Sequence, residues 1–81
     1  MELKDTIDMM NSDDYKERFK AEYYQTKIRC EKLRKMMIRK EAGTLNFEPK
    51  CPDDVLDDQL YYMEEYLKQL EVRAEIEKIE L

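Results

Sequence analysis

The chain has 81 residues, 43% of them charged and 42% hydrophobic, with a single glycine and a formal net charge of −5, which allows one small helix-rich domain at most. It has no histidine and only two cysteines, Cys30 and Cys51, in no CxxC spacing, so the usual zinc ligand sets and the commonest general base are missing, and one glycine leaves no phosphate-cradling loop. An enzyme, a bound metal or a cofactor is therefore not expected, and so small a core favours self-association.

The first stretch, MELKDTIDMM, places Leu3, Ile7 and Met10 at helical spacing, which predicts an N-terminal arm helix over residues 1–11 that needs something to dock on. It lacks the basic flank and apolar run of a signal peptide, and no segment approaches the roughly 20 apolar residues of a membrane span. Both thiols are expected reduced, in a cytosolic protein. NSDD then supplies a break, with Ser12 as the expected cap and Asp13 and Asp14 suited to the positive end of a helix dipole.

A basic long helix is predicted over 13–42. Phe19, Tyr23, Thr26, Cys30, Leu33 and Met37 step alternately by four and three, a coiled-coil-like stripe, and Gly43 stops the helix. In the connector, residues 43–51, Leu45 and Phe47 are expected to plug the open end of a hairpin. Pro52 suits the first position of an acidic long helix over 52–79, whose stripe is Leu56, Leu60, Met63, Leu67, Leu70 and Ala74. The expected fold is all-α: a single domain of a short N-terminal helix and two long antiparallel helices. Tyr24, Ile28, Tyr62, Tyr66 and Ile76 lie beside the stripes, so the arm and other copies of the chain are expected to cover them in a homo-oligomeric bundle.

Charge is unevenly placed. Residues 16–40 hold ten Lys or Arg against three Glu, whereas residues 51–81 hold three basic against ten acidic residues. One reading is that the basic helix answers the acidic one, in the same chain or across an interface, through surface pairs worth only about 0–1 kcal/mol each. The other is that some basic residues converge with tyrosines on a small anionic ligand, since Arg matches phosphate and Tyr offers a ring and a hydroxyl. A long nucleic acid fits less well, because the acidic helix and arm would repel an extended polyanion. One hairpin is convex, so a pocket would form where copies meet.

The ordered pattern RFKAE, KIRCEKL, a connector with LNF, and LDDQLYYMEEYLKQLEVRAEIE resembles small proteins common in bacteriophages, including gut crAss-like phages. More distantly it is similar to the phage anti-CBASS sponges. This resemblance, covering roughly Asp14 to Glu77, implies a homohexamer that sequesters cyclic dinucleotides or trinucleotides made by cGAS-like enzymes, without cleaving them, in the cytoplasm of the infected bacterium. It also implies ligand contacts from a tyrosine at the start of the first long helix and a basic residue about four turns later. On this sequence these fall at Tyr15 and Arg29, with Lys27 and Lys32 as neighbouring candidates; the basic position is usually Lys in the sponges and is Arg here. The rival reading is a helical adaptor that binds a host or phage polypeptide.

Overall fold

The computed structural model describes residues 1–81 and consists of helices and turns, giving the all-α fold expected. The arm begins as a 3-10 turn, Leu3–Thr6, and continues as the short helix α1, Ile7–Met10. Reciprocal capping holds its start: the Glu2 backbone N–H donates to Asp5 Oδ2 at 2.7 Å. Thr6 is wholly buried, its hydroxyl donating to the Leu3 carbonyl at 2.7 Å, so the one polar group the arm buries is satisfied. Both parts of the arm pack on the following long helix and neither touches the third.

That long helix, α2, spans Tyr15–Ala42. Its cap is Asp14, whose carboxylate accepts from the Lys16 backbone N–H at 2.9 Å. Ser12, the expected cap, stands two residues too early; its hydroxyl instead accepts the Asp14 N–H at 3.0 Å and shapes the turn. At the far end Gly43 adopts φ 77°, and the Gly43 and Thr44 N–H groups bond back to the Lys40 and Arg39 carbonyls at 3.1 and 2.9 Å. This pair of bonds satisfies two of the carbonyls that every helix leaves free.

The third helix, α3, spans Asp53–Glu77. Pro52 lies one residue before it with extended backbone, not at its first helical position as expected, and its carbonyl accepts the Leu56 N–H at 3.2 Å. At the other end Lys78 takes the left-handed conformation usually given to glycine, φ 58°. The Ile79 N–H returns to the Ala74 carbonyl at 2.9 Å, and the Ile79 side chain is buried in the same cluster as Ala74. Apolar contact between these two positions commonly accompanies this kind of helix end, and here it offsets the strain at a non-glycine residue.

Helices α2 and α3 run antiparallel, Lys40 pairing with Asp53 at the connector end and Tyr15 with Glu77 at the other. The whole measures 43 × 24 × 17 Å, close to the ~42 Å that 28 residues of α-helix span. The buried core is not spread evenly along the seam. Phe19, Tyr23, Leu70, Ala74 and Ile79 form one cluster at the Tyr15 end, with Tyr24 and Leu67 against it. Toward the connector Leu33, Met37, Leu60 and Met63 are only half-buried, because two helices enclose a seam from two sides alone. Phe47 does not plug that end: it is 55% exposed, and Leu45 is half-buried.

Candidate functional site

Tyr15 is the first residue of α2, which carries it to the end of the hairpin opposite the last turn of α3. Its hydroxyl donates to Glu77 Oε1 at 2.8 Å and accepts from an Arg73 terminal nitrogen, also at 2.8 Å. Arg73 Nε reaches the other Glu77 oxygen at 3.4 Å, closing a ring of three side chains. The Arg73 guanidinium carbon also stands 4.9 Å from the centre of the Phe19 ring, and the Tyr15 and Phe19 rings are 6.3 Å apart. Partial desolvation lowers the Arg73 pKa, but Tyr15 and Glu77 outweigh it and hold the group above its ordinary value. The guanidinium is thus charged and fixed in direction by a ring on one side and two oxygens on the other.

The other candidates stand apart from this cluster. Lys27 is half-buried with its ammonium 5.7 Å from the centre of the Tyr23 ring. Arg29 and Lys32 are exposed and make no ion pair or side-chain hydrogen bond. Fourteen residues of helix place Arg29 ~21 Å along the axis from Tyr15, and Lys27 lies ~200° around the helix from Arg29. One protomer therefore does not bring the four residues together. Its two grooves, of 610 and 770 Å³, lie at the two ends of the hairpin, the first beside Lys40 and Asp53, the second beside Glu71 and Lys78; neither is lined by Tyr15, Lys27, Arg29 or Lys32.

Most of the basic charge on α2 has no partner within the chain. Lys40 is the one basic residue of α2 that forms an ion pair with α3, and it pairs with Glu48 of the connector as well. Lys20 pairs with Glu17 on its own helix, and Arg18 donates to the Ser12 carbonyl. Lys16, Arg29, Lys32, Arg34, Lys35 and Arg39 are exposed without such partners. Inside one protomer, then, Lys40 alone joins the basic helix to the acidic one by a direct ion pair.

Two buried groups are structural. Tyr23 donates to Glu71 at 2.7 Å, and burial, reinforced by that carboxylate, pushes its hydroxyl up to about 12. Burial also pushes the Cys30 thiol up, with Glu64 and Glu31 adding to the effect, so it is an inert small hydrophobe. The partners of Tyr15 were the part of the site that sequence pattern did not reveal. Arg73 and Glu77 are four apart in a sequence crowded with acids, and only the antiparallel register of the hairpin brings them to Tyr15.

Fold and surface together describe a small all-α hairpin protein with a docked arm and a basic helix whose side chains mostly lack direct ion-pair partners. A family model described as Sequestin matches residues 13–76, which covers α2, the connector and α3 up to Ile76, and the chain belongs to that family. The family's name denotes sequestration, the holding of a ligand rather than its conversion. No curated protein and no solved structure matches the chain. No helix is long and apolar enough to cross a membrane.

Proposed function

We propose that this protein is a phage-encoded sponge: it binds and sequesters cyclic dinucleotides or trinucleotides at protomer interfaces without cleaving them, and so keeps CBASS-type antiphage signalling silent in the cytoplasm of the infected bacterium. The observation that carries this reading is the set of basic side chains on α2, Arg29 and Lys32 among them, with no acidic partner in their own chain. A cyclic oligonucleotide offers two or three phosphates within one small ring. Each charge-assisted bond to such a phosphate contributes about 1.5–3 kcal/mol.

Tyr15 and Arg29 share a face of α2 but stand ~21 Å apart along it, and Lys27 lies on the opposite face, so a shared pocket requires side chains from more than one protomer. In the proposed assembly, a homohexamer, Tyr15 of one copy supplies a ring for base stacking and Arg29 or Lys32 of another supplies the phosphate contact, with Lys27 close by. Val55, Tyr62, Tyr66 and Ile76 lie along one outward side of α3, with Tyr62 67% and Ile76 75% exposed, and give that assembly an apolar surface to bury. The same surface supports the second reading, a helical adaptor that docks a polypeptide of host or phage.

Charge reversal separates the two. Arg29→Glu and Lys32→Glu are expected to weaken cyclic-oligonucleotide binding by at least about ten-fold each while leaving helix content unchanged. If neither variant alters ligand affinity, these residues do not hold phosphate. If the wild-type protein instead elutes as a monomer and binds a polypeptide but no cyclic oligonucleotide at micromolar concentration, the adaptor reading replaces the sponge.

A further inference from the structure

Tyr15, Arg73 and Glu77 bond to one another, yet all three lie at the surface, where water could have served them. The two donors point at one carboxylate: the Tyr15 hydroxyl reaches Oε1 at 2.8 Å and Arg73 Nε reaches Oε2 at 3.4 Å. A planar guanidinium and a phenol converging on two oxygens of one anion is the arrangement that also receives a phosphodiester. Arg73 is already aimed, held over the Phe19 ring at 4.9 Å.

We infer that Glu77 is an internal counter-anion: its carboxylate occupies the position that a ligand phosphate takes against Tyr15 and Arg73, and it must swing away for that phosphate to bind. This rests on the sponge reading above and deepens it, because it makes the unliganded protein closed to weak anions. Glu77 is well placed to move. It is the last residue of α3, its carboxylate is held only by Tyr15 and Arg73, and the chain turns sharply at Lys78 immediately after it. An exposed pair four residues apart on a helix is weak, so displacement costs little to a ligand that brings several phosphates to several protomers. A single inorganic phosphate gains no such advantage, so the competing carboxylate weakens its binding further, by about five-fold. Selection for a multiply charged cyclic ligand over the abundant monophosphates of a cell follows from that competition.

The test is calorimetry of the full chain and of Glu77→Gln with a cyclic purine dinucleotide, and in parallel with inorganic phosphate. Gln keeps the shape and the hydrogen-bonding carbonyl while removing the charge. Glu75→Gln, which removes an equal charge from a residue without an ion pair on the same turn, is the control. Glu77→Gln is expected to bind the dinucleotide about five-fold more tightly than wild type, with little change for Glu75→Gln. It is also expected to begin to bind inorganic phosphate. In the wild-type protein, the carboxyl carbon resonance of Glu77 is expected to shift as dinucleotide is added. Equal gains in both variants, or unchanged or weaker binding by Glu77→Gln, would overturn the inference while leaving the sponge intact; the trio would then be only a clasp between helix ends. An unmoved Glu77 resonance at saturation overturns it as well. If neither wild type nor Glu77→Gln binds any cyclic oligonucleotide, the sponge reading fails and the inference with it.

Discussion

Leu70→Ala tests the uneven core most directly, with Leu60→Ala as its comparison. Leu70 is 1% exposed and lies among Phe19, Tyr23, Ala74 and Ile79. Truncating a leucine enclosed in this way removes its transfer free energy and leaves a cavity whose walls cannot collapse, at a cost of about 3 kcal/mol. An 81-residue domain has a total stability of ~4–12 kcal/mol, so this one side chain carries a quarter of it or more. The corresponding fall in Tm is ~12–24 °C. Leu60 lies on the same stripe toward the connector but is only half-buried, and its truncation is expected to cost ~1 kcal/mol, because much of the side chain is already hydrated. Urea unfolding followed by circular dichroism measures both, at one protein concentration because association adds to apparent stability. Equal shifts in midpoint, or a larger one for Leu60→Ala, would refute the assignment of the core to the Tyr15 end.

Three further outcomes follow from individual residues. The raised pKa of Tyr23 means the neutral hydroxyl is favoured in the fold; its contribution is complete below about pH 10 and lost as pH rises to about 12. Wild-type stability is therefore expected to fall across that window more steeply than that of Tyr23→Phe, and parallel pH profiles would contradict it. Iodoacetamide is expected to alkylate half-buried Cys51 about ten-fold faster than buried Cys30, as read by mass spectrometry, and the reverse order would place Cys30 outside the core. Gly43→Ala meets no atom within 4 Å and keeps its space, so its cost comes from φ 77° alone, about 1 kcal/mol by thermal melting. No loss would mean that α2 does not end in the left-handed turn.

The fold was legible from spacing and punctuation. Alternating steps of four and three from Phe19 to Met37 and from Leu56 to Ala74 mark two helices, and Gly43 and Pro52 separate them. What spacing cannot convey is how far a stripe is covered. Tyr23 and Met37 occupy equivalent positions on α2, yet only Tyr23 is buried, because Ile79 folds back over its end of the seam and nothing comparable covers Met37. Nor did the pattern announce the turn at Lys78, where tertiary burial of Ile79 substitutes for a glycine. For the site, sequence pointed to Tyr15, Lys27, Arg29 and Lys32 but carried no trace of Arg73 and Glu77. Those two meet Tyr15 across 58 and 62 residues of chain, a contact set by hairpin register rather than by any local motif. Phe47 shows the opposite error, an apolar residue assigned to packing in a connector that leaves it in water.

The most direct measurement is calorimetry of the purified protein against a panel of cyclic dinucleotides and trinucleotides, with the bound molecule recovered after heat denaturation and weighed by mass spectrometry. Binding of at least one member at micromolar concentration or tighter, with the ligand returned at its original mass, is the expected result. No binding anywhere in the panel would contradict sequestration of cyclic oligonucleotides, and a linearised product would make the protein an enzyme instead of a sponge.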